Sequence, residues 1–172
     1  MRTMPFFIAL VVMLGVHGVS QAAEPYQETE LARGSRGEEA AIIKAVEGFI
    51  VGFANMDVDM VMDLWDASAA DEVSFTQVEN DVPVVGLENF RDYYAGHMRH
   101  IQILGGEVSD VHIQRMGNLA IVSCRYNWFS KYLATGRVAM DTTRATIVLR
   151  KHGRRWLYLN MHESFTAGQI PN

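Results

Sequence analysis

The 172-residue chain contains one cysteine and four prolines. A single cysteine excludes a disulfide-stapled scaffold and any zinc site built from thiolates. So little proline, with only 14 glycines, excludes collagen-like and low-complexity chains. Basic residues are also in short supply, 15 Lys and Arg against 20 Asp and Glu, which argues against a sequence-independent grip on nucleic acid phosphates. Beyond the first segment, no apolar stretch reaches the roughly 20 residues that a spanning helix needs. What remains is an ordinary globular composition, 49% apolar and 20% charged, of a size that suits about one domain.

Residues 1–22 have the three parts of a secretory signal. Arg2 supplies a positive start, Phe6 to Val16 an apolar stretch, and Ser20-Gln21-Ala22 small residues flanking a cut after Ala22. An uncleaved interfacial anchor is the alternative. The expectation is an exported protein, periplasmic or secreted, with no membrane span. Removing this segment takes away one basic residue, Arg2, and leaves 14 basic residues against 20 acidic ones. An acidic surface disfavours an anionic membrane as partner. In an oxidising compartment Cys124 is either buried or paired between chains; its apolar run, Ala120 to Cys124, favours burial.

Residues 23–36 are polar and aperiodic and read as a mobile leader. Ser35 and Glu38 fit a capping box for a helix over about 37–55, along which Ile42, Ile43, Val46, Phe49, Ile50 and Phe53 recur at helical spacing. A second helix is expected over about 58–67. A short strand follows at 73–76, then a loop over 77–86 and a third helix over 87–98. After Gly105-Gly106 the pattern turns to strands: one through Val108 to Ile113, then 119–132, 138–151 and 156–165. Residues 167–172 form a tail. Helices first and long antiparallel strands afterwards are an α+β order. Strands this long need twist or bulges to wrap a core.

Several segments resemble the SnoaL-like branch of the NTF2-like superfamily. Arg144-Ala145-Thr146-Ile147-Val148-Leu149-Arg150-Lys151-His152-Gly153 is similar to its penultimate strand and turn, and Trp156 to Ser164 to its last strand. Asn55-Met56-Asp57-Val58-Asp59 resembles the break between its first two helices. Gly86 to Phe90 resembles the start of its third helix, and Gly117-Asn118-Leu119-Ala120 its hairpin turn. The resemblance implies a domain over 37–166: an α+β cone of three helices packed on a curved, mainly antiparallel sheet. It also implies a homodimer paired through the outer sheet face. It leaves function open, because the superfamily holds isomerases, dehydratases, transport factors and assembly domains. The position of the steroid isomerase base falls near Gln77, which cannot abstract a proton, and helix one offers Phe49 and Phe53 in place of a tyrosine.

A cone offers one apolar cavity with a few polar groups. The ligand-binding candidates are Trp65, Tyr126, Trp128, Arg144, Asn160 and His162. Strand alternation puts Trp156, Tyr158, Asn160, His162 and Ser164 on one face, although a bulge would exchange the faces. His162 or Asp141 is the candidate general base; alternatively His162 is hydrogen-bonded in the sheet or lies at a dimer surface, and Asp141 lies at an exposed edge. Arg144 either binds a ligand carboxylate or pairs internally with Asp141, Glu163 or a helix carboxylate. His97 and His100 lack the companions of a metal motif, so neither metal nor cofactor is expected. Arg150, Lys151, Arg154 and Arg155 read as a solvated hairpin cluster.

Three functions fit these residues. The first is an exported binder of a small, largely apolar molecule bearing a carbonyl or carboxylate. The second is an isomerase, hydrolase or dehydratase. The third is a dimeric interaction module with a filled cone.

Overall fold

The computed structural model describes residues 37–166. The signal segment, the leader and the tail expected at 1–22, 23–36 and 167–172 lie outside the described residues. Helix α1 spans Glu38–Ala54, α2 Val58–Met62 and α3 Leu87–Met98. The strands are β1 (Ser74–Thr76), β2 (Val84–Val85), β3 (Ile101–Met116), β4 (Leu119–Tyr132), β5 (Val138–His152) and β6 (Arg155–Phe165). They form one sheet in the order β2-β1-β6-β5-β4-β3. Among these strands only the β1–β6 pairing is parallel, and Trp65 adds an isolated parallel bridge to Tyr158. The expected architecture of three helices on a curved, mainly antiparallel sheet is therefore present.

The core lies between α1 and the concave sheet face. Phe49 of α1 is its centre, with ring centroids 6.0 Å from Tyr126, 6.1 Å from Tyr158 and 6.0 Å from Tyr94. The alternation on β4 is strict: Ala120, Val122, Cys124, Tyr126, Trp128 and Ser130 are all buried. Cys124 is thus inside, and burial pushes its thiol up to about 12, far from the reactive thiolate range. Gly106 of β3 is packed between the neighbouring strand and α1. A Cβ there would sit 2.6 Å from the Asn127 carbonyl and 3.4 Å from Ile50.

Four local expectations need correction. Helix α2 stops at Met62 instead of 67, because the next backbone groups bond to the sheet. Tyr158 N donates to the Leu64 carbonyl (2.8 Å) and Asp66 N to the Tyr158 carbonyl (3.0 Å). The N-cap of α1 is Gly37, without a side-chain cap, and the Glu38 carboxylate instead meets Lys151 Nζ (2.6 Å) and Trp156 Nε1 (3.2 Å). Strand β3 begins at Ile101, before the Gly105-Gly106 pair, which it absorbs with a register shift between Ile103 and Gly105.

The fourth correction bears on function. On β6, Tyr158 pairs with Leu149 and Asn160 with Val148, so Leu159 is an extra residue. A bulge of one residue exchanges the faces beyond it. Trp156 and Tyr158 point inward, as do Met161 and Glu163, whereas His162 is exposed.

Candidate functional site

A cavity of about 690 Å³ opens at the end of the cone where β4 ends and β5 begins. Alternation supplies most of its wall. Trp128, Ser130 and Tyr132 are successive inward residues of β4, and Asp141 and Thr143 face them from β5. Helix α1 contributes Phe49 and Phe53, the end of α3 His97, and the segment after β1 Gln77 and Glu79. Most of this surface is aromatic or aliphatic, with a few polar groups set into it.

Those polar groups fall into three sets. In the first, Tyr93 O–H faces Glu79 Oε1 at 2.7 Å, and His97 Nδ1 lies 3.8 Å from the same oxygen. Burial lowers the His97 pKa against the opposing pull of Glu79. Its imidazole is therefore neutral at pH 7. In the second, Tyr132 O–H donates to Asp141 Oδ2 at 3.2 Å. Burial, followed by the Asp141 charge, raises the Tyr132 pKa, so the phenol keeps its proton.

The third set stands behind the wall. Glu163 is 1% exposed, and its Oε1 accepts from Trp128 Nε1 (3.0 Å) and from Thr143 Oγ1. Its Oε2 has no hydrogen-bond partner among the described residues. Burial pushes its pKa up to about 7, although the bonds from Thr143 and Trp128 pull it down. A carboxyl in this state shifts between acid and anion near neutrality. It also fixes the Trp128 indole and accepts a hydrogen bond from the Thr143 hydroxyl.

Of the expected site residues, Trp128 and Asp141 line the cavity. Tyr126 stacks behind Trp128, with centroids 5.1 Å apart, and its hydroxyl is taken by the Val46 carbonyl (2.9 Å). Trp65 is buried deeper in the core, 4.5 Å from Phe90 by ring centroid. The other three candidates are not in the cavity wall. Arg144 is exposed and donates to the Phe165 carbonyl (2.9 Å), pairing with neither Asp141 nor Glu163. Asn160 donates to Ser74 Oγ (2.6 Å). His162 is exposed beside the β1 edge, in register with Thr76 and Thr146. The bulge at Leu159 is the physical reason for the last two.

Sequence reasoning did not place Glu163, Glu79 and His97 at the cavity: Glu163 was read only as a partner for Arg144 and His97 only as a metal ligand without companions. The signal for Glu163 was a carboxylate among inward-facing apolar residues, visible only once the bulge is placed. His97 follows Tyr94 and precedes Met98 on the buried side of α3, so its helical phase carried the signal. Glu79 sits in an irregular segment with no periodicity to read.

No functionally curated protein matches the sequence. Solved structures do resemble the fold. A candidate dehydratase of the NTF2-like family from Streptomyces avermitilis superimposes with a TM-score of 0.64 at 24% identity, over 74% of this chain and 95% of that one. A ketosteroid isomerase-like protein from Erwinia carotovora atroseptica gives 0.64 at 18% identity, over 77% and 99%. An NTF2-like protein from Cytophaga hutchinsonii gives 0.61 at 16% identity, over 76% and 100%. At such identities these likenesses speak for the fold alone. The sequence profile of the SnoaL-like domain matches residues 42–168, and with the cone and its cavity in view, the chain belongs to the SnoaL-like domain family.

Proposed function

We propose that the protein is exported and binds a small, largely apolar molecule in the cone cavity. The observation that carries this reading is the cavity itself. Its 690 Å³ falls within the roughly 300–1,000 Å³ typical of small-molecule sites. An interaction module with a filled cone would not need a space of this size. The signal pattern of residues 1–22 supports export, and the exposed apolar pair Phe129 and Met140, in register on the outer sheet face, supports pairing of two copies.

A catalytic reading stands second. It rests on His97, a neutral imidazole in the cavity wall that can accept a proton, with the Asp141 carboxylate in the same wall. The exposed position of His162 gives it no part in this chemistry.

Native mass spectrometry of the protein purified from its own host tests the reading. A co-purifying small molecule, or saturable binding of a neutral aromatic probe that Phe53→Trp weakens, is the expected result. A protein that arrives empty and binds no neutral, cationic or anionic aromatic probe would overturn it.

A further inference from the structure

The polar groups of the cavity have one electrical character. Glu79 and Asp141 are the charged residues in its wall, and no Lys or Arg stands among the described lining residues. Neither carboxylate has a Lys or Arg ion-pair partner among the described residues. Glu79 receives the Tyr93 hydroxyl and faces a neutral imidazole, and Asp141 receives the Tyr132 hydroxyl. Arg137 stacks its guanidinium 4.3 Å from the centre of the Tyr132 ring instead of lining the cavity.

The neutral groups also offer lone pairs. Thr143 donates to Glu163 and accepts from Trp128 Nε1 (3.2 Å), which leaves its oxygen one lone pair. Ser130 lines the cavity, is 4% exposed, and its hydroxyl makes no hydrogen bond with any described residue. A polar side chain so deeply buried normally has a partner. Around these acceptors stand the rings of Phe49, Phe53, Trp128 and Tyr132, whose faces attract cations.

We propose that the cavity takes a protonated amine, a molecule with an apolar body and one ammonium group. The body lies against the aromatic wall, and the ammonium donates to Asp141 and Ser130 within the field of Glu79. This rests on the reading of the cavity as a ligand site and replaces the carboxylate-bearing ligand expected from the sequence. The cation that such a ligand required, Arg144, is not in the wall.

Calorimetric titration with naphthylethylamine, naphthylethanol and naphthylpropionate, three ligands with one body, tests the charge. The amine should bind at least about tenfold more tightly than the alcohol, as expected for one charge-assisted hydrogen bond, and the carboxylate should bind most weakly. Asp141→Asn combined with Glu79→Gln should abolish the preference for the amine over the alcohol. N-acetylation of the amine removes the charge without touching the protein and should cost a similar factor. An alcohol that binds as well as the amine, or a preference that survives both the double variant and N-acetylation, overturns the amine assignment and leaves the cavity reading standing. If none of the three ligands binds, the cavity reading fails and the amine assignment fails with it.

Discussion

The two ends of the cone bury a carboxylate each, by opposite means. At the narrow end, Asp66 is held by the Arg150 cation, Nε at 2.7 Å and Nη2 at 2.6 Å, with His152 Nε2 at 2.9 Å. Ser68 adds its backbone N–H at 2.9 Å and its hydroxyl at 2.6 Å. At the wide end, Glu163 has only the neutral donors Trp128 and Thr143. Burial acts to raise both pKa values. For Asp66 the bonds from Ser68 and Arg150 outweigh it and hold the carboxyl below its usual range. For Glu163 burial wins and the value rises to about 7. The narrow end is fastened by an ionic contact that ties the turn after α2 to the β5–β6 hairpin. The wide end is left hollow, and its hidden carboxyl titrates where a ligand site operates.

This comparison breaks most plainly at Asp66. Asp66→Asn leaves Arg150 and His152 facing an amide, and loss of one partner from a buried ion pair costs about 4 kcal/mol. Urea unfolding at pH 7 should show that loss, and affinity for any cavity probe should not change, because the cavity lies at the far end of the strands. A cost below about 1 kcal/mol would mean that the contact is only a surface pair. The sign with pH follows from the lowered pKa. The stabilisation by Asp66 is present above its unfolded value near 3.8 and is lost as pH falls through the folded one.

Glu163 should behave in the opposite sense. Its folded pKa is raised from 4.5 to about 7, so its stabilising contribution is complete below pH 4.5 and is lost as pH rises through 7. The difference amounts to roughly 3 kcal/mol. His97 runs against it in an overlapping window, because burial lowers its pKa and its contribution is lost as pH falls. The informative quantity is therefore the gap in unfolding free energy between the wild type and Glu163→Gln, measured at pH 5 and at pH 8. From pH 5 to pH 8 the wild type should lose ground against the variant. A gap independent of pH would show that Glu163 is ionised throughout, and the contrast with Asp66 would collapse.

The sequence was a good guide to the fold and an uneven one to the site, for a physical reason. Helix α1 and strand β4 carry unbroken periodicity, so their inward residues, from Ile42 to Phe53 and from Ala120 to Ser130, were legible. Trp128 followed from that alternation. The basic residues of the hairpin were read as solvated, yet Arg150 and Lys151 face carboxylates on elements far away in sequence. Such long-range pairing leaves no local pattern. On β6 the alternation broke at one inserted residue, Leu159, and every assignment beyond it changed sides. Glu163 thereby took the interior place that parity had given to His162.

The smallest expected effect concerns that exchange. His162 is exposed and its register neighbours are Thr76 and Thr146, so it is absent from both ends of the cone. His162→Ala removes a solvated imidazole from the outer sheet face, where substitutions usually stay within about 0.5 kcal/mol. Stability at pH 7 should shift by no more than that, and probe affinity should equal the wild-type value. The same test applied to the neighbouring inward position is the control: Glu163→Ala removes the acceptor of both Trp128 and Thr143 and should alter both quantities. If His162→Ala weakened probe binding while Glu163→Ala left it unchanged, the bulge at Leu159 would be misplaced, and with it the division of β6 into a cavity side and an outer side.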